Sequence, residues 1–146
     1  MKSETESTVK AYATLRFAGG ELEPREISDV LGVEPTRAYR KGERYYAGPL
    51  TGELAGRTGV WLLSTDDVDS GSDLDRRLSY LVKLMFENEP SRAAALSQLL
   101  ARRGLKARVW CFWHGTAGAR APSIPGPVLD AFKQLPAEIE TDFGTD

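Results

Sequence analysis

The sequence predicts an α+β protein built on an antiparallel sheet, with its helices mainly on one face. Three observations carry that expectation. Val9–Phe17 and Lys106–His114 alternate apolar and polar side chains at the period of a strand. Ile27, Val30 and Leu31, then Leu74, Leu78, Leu81, Val82 and Met85, then Leu96, Leu99 and Leu100 repeat at helical spacing. Strand, glycine-rich loop, short Pro-led helix and strand occur from Val9 to Ser64 and again from Ala107 to Phe143. Two βαβ units of this kind predict a ferredoxin-like plan, with an extra helical pair, Leu74 to Arg103, between the halves.

Each element has a local reason. Residues 1–8 read as an N-terminal tail and residues 9–146 as a single α+β domain. In the first strand Val9, Ala11, Ala13, Leu15 and Phe17 share one face; Lys10, Tyr12, Thr14 and Arg16 share the other. Gly19-Gly20 breaks it. Pro24 suits the first helical position, where a missing N–H costs nothing. Glu23 and Glu26 place negative charge at the positive end of that helix, and Gly32 ends it. Residues 33–58 are a long excursion, with an edge hairpin expected around Thr36 to Tyr46. Gly59–Ser64 is apolar on both faces, as an interior strand is. Asp73 is a natural N-cap for the helix that follows. Pro90 and Ser91 start a second helix, which Gly104 ends. In the strand Lys106–His114, Ala107, Val109, Cys111 and Trp113 face one side; Arg108, Trp110, Phe112 and His114 face the other. Val128, Leu129, Phe132 and Leu135 mark a short helix closed by Pro136. Glu138–Phe143 alternates as the last strand, and all four long strands are expected in one sheet.

Composition narrows the function. The chain has 146 residues, 41% of them hydrophobic and 27% charged, which suits one globular domain with its own core. A net charge of −2 argues against a dedicated duplex-DNA binder, while leaving room for a local cationic patch. One cysteine excludes an intramolecular disulfide, and one histidine excludes a multi-histidine metal site. No cofactor and no metal are expected. Residues 1–8 lack an apolar signal core and no apolar run reaches membrane-spanning length, so a cytoplasmic location is the expectation.

The densest local signal follows the first helix. Arg37, Arg40, Lys41 and Arg44 interleave with Tyr39, Tyr45 and Tyr46. Thr36 to Tyr46 carries four cations against one acid, Glu43. Arginine and tyrosine are enriched at interface hot spots, and both also suit phosphate pairing and base stacking.

The residues Leu22-Glu23-Pro24 with Ile27, Leu31-Gly32-Val33 with Pro35-Thr36, Lys41-Gly42-Glu43 and Gly59-Val60-Trp61 resemble a bacterial family, domain of unknown function 4279. The sharp motifs lie in the first half; the second half matches in element order. The resemblance implies an architecture and a bacterial source, and assigns no catalytic residue. Members of such small families sometimes serve as immunity or accessory proteins, which points toward protein binding.

Other candidate chemistry gives way to plainer readings. His114 has no histidine partner and reads as a strand-end residue. Cys111, between Trp110 and Phe112, reads as a buried, inert thiol. Asp66, Asp67, Asp69 and Asp73 fail the EF-hand template, whose glycine position falls on Ser72. No phosphate-binding glycine motif, GxSxG or HExxH occurs. The sequence therefore points to a non-enzymatic binding module that contacts its partner through loop 36–46, with Arg37, Tyr39, Arg40, Lys41, Arg44, Tyr45 and Trp61 as the binding residues. A protein partner ranks first, a second copy of the chain included; nucleic acid ranks behind it, and no membrane is expected. The alternative is a small-molecule or anion-binding protein with a pocket lined by Trp61, Trp110 and Trp113.

Overall fold

The computed structural model describes residues 8–46, 53–55, 57–67, 73–89, 91–135 and 137–146. The elements run β1 (Thr8–Gly19), α1 (Pro24–Leu31), β2 (Arg37–Tyr39), β3 (Arg44–Tyr46), β4 (Glu53–Ala55), β5 (Gly59–Ser64), α2 (Leu74–Val82), α3 (Arg92–Arg103), β6 (Lys106–Gly115), α4 (Gly126–Lys133) and β7 (Glu138–Thr145). The protein is a mixed α+β fold with a five-stranded sheet in the order β2-β5-β1-β6-β7. All pairings in that sheet are antiparallel except β6 with β7. The four strands expected in one sheet are there together. Thr8 belongs to β1, so the strand starts one residue earlier than the predicted domain boundary.

Two details of the expectation are corrected. The first concerns the halves. β1 and β5 are antiparallel neighbours, so they are not the two parallel strands of a βαβ unit. β1 and β2 run the same way with β5 between them, and α1 makes that crossover. β5 and β6 run the same way with β1 between them, and α2 with α3 makes that one. The helical pair is thus a crossover rather than an insert between halves. Parallel strands need a connection long enough to cross the sheet, and a helix supplies it. The second correction concerns the hairpin expected at Thr36 to Tyr46. β2 joins the edge of the main sheet beside β5, whereas β3 pairs with β4 in a separate two-stranded sheet. The turn between β2 and β3 redirects the chain: Gly42 has φ +82°, and the Glu43 N–H donates to the Arg40 carbonyl.

The helices form for the reasons their sequences gave. Gly32 ends α1 in the left-handed conformation at φ +71°, and its N–H donates to the Ser28 carbonyl at 2.8 Å. Asp73 caps α2 by accepting from the Asp75 N–H at 3.0 Å. Past Val82 the helix widens into one π-turn, Lys83–Glu87. The Arg92 guanidinium takes up the Leu84 carbonyl there at 2.8 Å.

The core lies on one face of the sheet. Ala11, Ala13, Leu15 and Phe17 of β1 and Ala107, Val109, Cys111 and Trp113 of β6 are buried there. Ile27, Leu78, Leu96 and Phe132 bring the four helices into the same cluster. Each such fully buried side chain contributes roughly 1.5–3 kcal/mol. Trp61 is 0% exposed in this cluster, and its ring meets Phe17 at 5.8 Å between centroids. Trp113 is buried as well, with its indole N–H donating to Thr8 Oγ1 at 2.8 Å.

Candidate functional site: the sheet face opposite the helices

A strand sends alternate side chains to opposite faces, so residues paired across the sheet share a face. The helices cover the face that holds the core. The opposite face is built of rows that run across the strands. The longest row reads Arg37, Leu62, Arg16, Arg108, Glu138, one residue from each of β2, β5, β1, β6 and β7. The next reads Ser64, Thr14, Trp110, Glu140, and the one after it Tyr12, Phe112, Asp142. Lys10 and His114 pair beyond them.

The charges on this face are unevenly satisfied. Arg108 meets Glu138 at 3.3 Å and Glu140 at 3.5 Å. Lys10 meets Asp66 at 3.3 Å and lies over the Tyr12 ring, 5.6 Å from its centroid. His114 Nε2 lies 2.5 Å from Asp146 Oδ1. Arg16 stands directly opposite Arg108, a like-charge pairing that Glu138 and Glu140 relieve on the Arg108 side. Among the described residues neither Arg16 nor Arg37 has an acidic partner. Arg37 is exposed and Arg16 half-buried.

Aromatic surface adjoins the arginines. Trp110 is 40% exposed, the most open tryptophan of the chain. Tyr12 and Phe112 stack at 4.9 Å between centroids, 16° from parallel. The stack and the Lys10 ammonium both steady the Tyr12 ring.

The site read from the sequence divides three ways. Arg37 and Tyr39 lie on the face opposite the helices, because β2 alternates and turns Ala38 inward against Trp61. Arg40 is drawn to the start of α1 instead. Its guanidinium binds the Glu23 carboxylate at 2.5 Å, and Glu43 lies 3.8 Å away. The hydrogen bond from Arg40 holds the Glu23 carboxyl below its ordinary range, and Glu23 raises Arg40 in turn. Lys41 is exposed in the turn. The side chains of Arg44 and Tyr45 lie outside the described residues. Trp61 is core, where its indole N–H is spent on Ser28, so it lines no surface. The tryptophan-lined pocket loses Trp113 for the same reason.

Arg16, Tyr12, Arg108 and Phe112 were absent from that reading, and Trp110 entered it only through the tryptophan-lined pocket. Their signal was present, since alternation had already placed them together within each strand. What alternation could not show was that β1 and β6 are neighbours, with Arg16 opposite Arg108 and Tyr12 opposite Phe112.

The fold is a small α+β sheet protein whose described helices pack on one side of the sheet. The chain belongs to the family described as domain of unknown function, DUF4279, whose model matches residues 7–145. No curated protein and no solved structure matches it. Among the described residues no helix is long and apolar enough to cross a membrane.

Proposed function

We propose that this protein is a non-enzymatic binding module that holds an anionic partner on the sheet face opposite its helices. One observation carries the reading: Arg16 and Arg37 flank Leu62 in a single row, and neither has an acidic neighbour among the described residues. Strands lie about 4.8 Å apart, so the two backbone positions stand roughly 10 Å apart across β5. Guanidinium forks at that spacing suit a phosphate or carboxylate held between them. Loop 36–46 takes part through β2, which supplies Arg37 and Tyr39. Its other cation with a described partner, Arg40, serves to clamp β2 to α1. The reading places the module in the bacterial cytoplasm, in keeping with a single cysteine, Cys111, that is buried.

The test is titration with a simple polyanion, polyphosphate, followed by calorimetry at several salt concentrations. Arg16→Gln with Arg37→Gln should weaken binding and flatten its salt dependence, with melting temperature little changed. Equal affinity in wild type and double variant would remove these arginines from the site. A cationic patch elsewhere would then be sought by the same titration on Lys41→Gln.

A further inference from the structure

The sheet face opposite the helices carries two kinds of surface side by side, and their arrangement is more specific than charge alone. Resting on the reading above, we infer that the anionic partner is a single-stranded nucleic acid, with phosphates on Arg16 and Arg37 and bases stacked on Trp110 and Phe112. The sequence ranked protein ahead of nucleic acid. The register of β1 against β6 reverses that order, because it sets aromatic rings in the rows beside Arg16 and Arg37.

The chemistry fits part by part. An acidic peptide would need cations and little else. Here Trp110 is 40% exposed in the row next to Arg16, and Phe112 follows two residues along the same face of β6. Two such positions are about 6.7 Å apart along a strand. Successive bases of an unpaired strand can therefore occupy them in turn, and stacking accepts any base. The sheet is broad and presents no helix that could enter a groove, so a duplex would leave the aromatics unused.

The acidic edge strand gives the complex a direction. Glu140 and Asp142 stand beside Trp110 and Phe112 in register. They repel phosphate, which keeps the phosphodiester chain over β1, β5 and β2, where Arg16, Arg37 and Lys10 lie. The bases then point toward β7. There a carboxylate accepts from the exocyclic amino group of a cytosine. A cytosine-containing strand should bind at least as well as a thymine-only strand.

The experiment uses fluorescence anisotropy with labelled oligothymidylate and oligocytidylate of about ten nucleotides. A matching duplex and poly-glutamate serve as competitors. Wild type should bind the single strands, with quenching of tryptophan emission that arises from Trp110, since Trp61 and Trp113 are buried. Trp110→Ala should weaken single-strand binding roughly tenfold or more, while Trp110→Phe retains most of it. Arg16→Gln with Arg37→Gln should reduce the slope of log affinity against log salt by roughly 1.4. Poly-glutamate binding as tightly as the oligonucleotides, with Trp110→Ala behaving as wild type toward both, would overturn the nucleic-acid inference and leave the anion reading standing. Preference for duplex would overturn it too. Failure of every polyanion to bind wild type would remove both readings. Circular dichroism of each variant establishes that it is folded.

Discussion

The indole N–H of Trp61 donates to the Ser28 hydroxyl at 3.0 Å, joining β5 to α1 inside the core. Both residues are buried, so neither group has water as a substitute. Ser28→Ala leaves the indole N–H unpaired and should cost about 1–3 kcal/mol. Adding Trp61→Phe to it removes the orphaned donor, so the two losses should not add. Urea denaturation of both single variants and the double variant measures the coupling; strict additivity would mean that the bond contributes nothing.

Thr65 holds the far end of β5 by two contacts. Its hydroxyl accepts from the Ala13 N–H at 2.9 Å, and its carbonyl accepts from the buried guanidinium of Arg77. Thr65→Val keeps the shape and strands the Ala13 donor, for an expected loss of about 1–3 kcal/mol. Arg77→Leu should cost about 2 kcal/mol, since a charge-assisted bond to a buried carbonyl disappears. Asp66, its second partner at 3.7 Å, is 42% exposed and can return to water. Chemical denaturation gives both values.

Acid should loosen the clamp between α1 and β2. The Glu23 carboxyl titrates below its ordinary value because Arg40 hydrogen-bonds it. A depressed carboxyl contributes stability above its unfolded value and loses it as pH falls through the folded one. The Glu23–Arg40 contribution is thus present at neutral pH and disappears in acid. Arg40→Gln should move the Glu23 titration upward when its carboxyl carbon is followed by NMR. An unmoved titration would mean that the pair does not hold in solution.

Gly59 pairs with Gly19 at the end of the β1–β5 ladder. A Cβ at residue 59 would stand 2.8 Å from Leu22 Cβ and 2.9 Å from the Gly19 carbonyl oxygen. The oxygen belongs to paired backbone and cannot swing aside. Gly59→Ala should therefore lower stability by about 1–3 kcal/mol. A melting temperature equal to wild type would show that the chain relaxes there at no cost.

Cys111 should react as a reporter of opening. Burial pushes its thiol up to about 11, so at pH 8 the nucleophilic thiolate is scarce as well as enclosed. Labelling by a thiol reagent should track exposure of β6 and accelerate in the Ser28→Ala variant. Fast labelling of folded wild type would contradict the burial.

Much of this molecule was legible in single elements. Pro24 and Gly32 bracketed α1, Asp73 capped α2, and the alternation of β1 and β6 sorted core from surface. These features depend on a residue and its near neighbours, through φ preferences, capping bonds and the two-residue period of a strand. The loop 36–46 was legible as composition, but composition does not say where a side chain turns. Arg40 left the cluster because Glu23 lies within reach across α1, and Trp61 left it because Ser28 satisfies its indole inside the core.

The sequence by itself determined the class of fold, the alternation of β1 and β6, and the caps that bracket α1 and start α2. The tertiary structure decided which strands are neighbours. Arg16 and Arg108 are separated by most of the chain, as are Tyr12 and Phe112, yet each pair is in direct register. Nothing local to either residue encodes that meeting. It follows from which crossover each helix makes, and a shift of one residue would exchange the two faces of a strand. The row from Arg37 to Glu138 therefore exists only once five strands have been placed side by side.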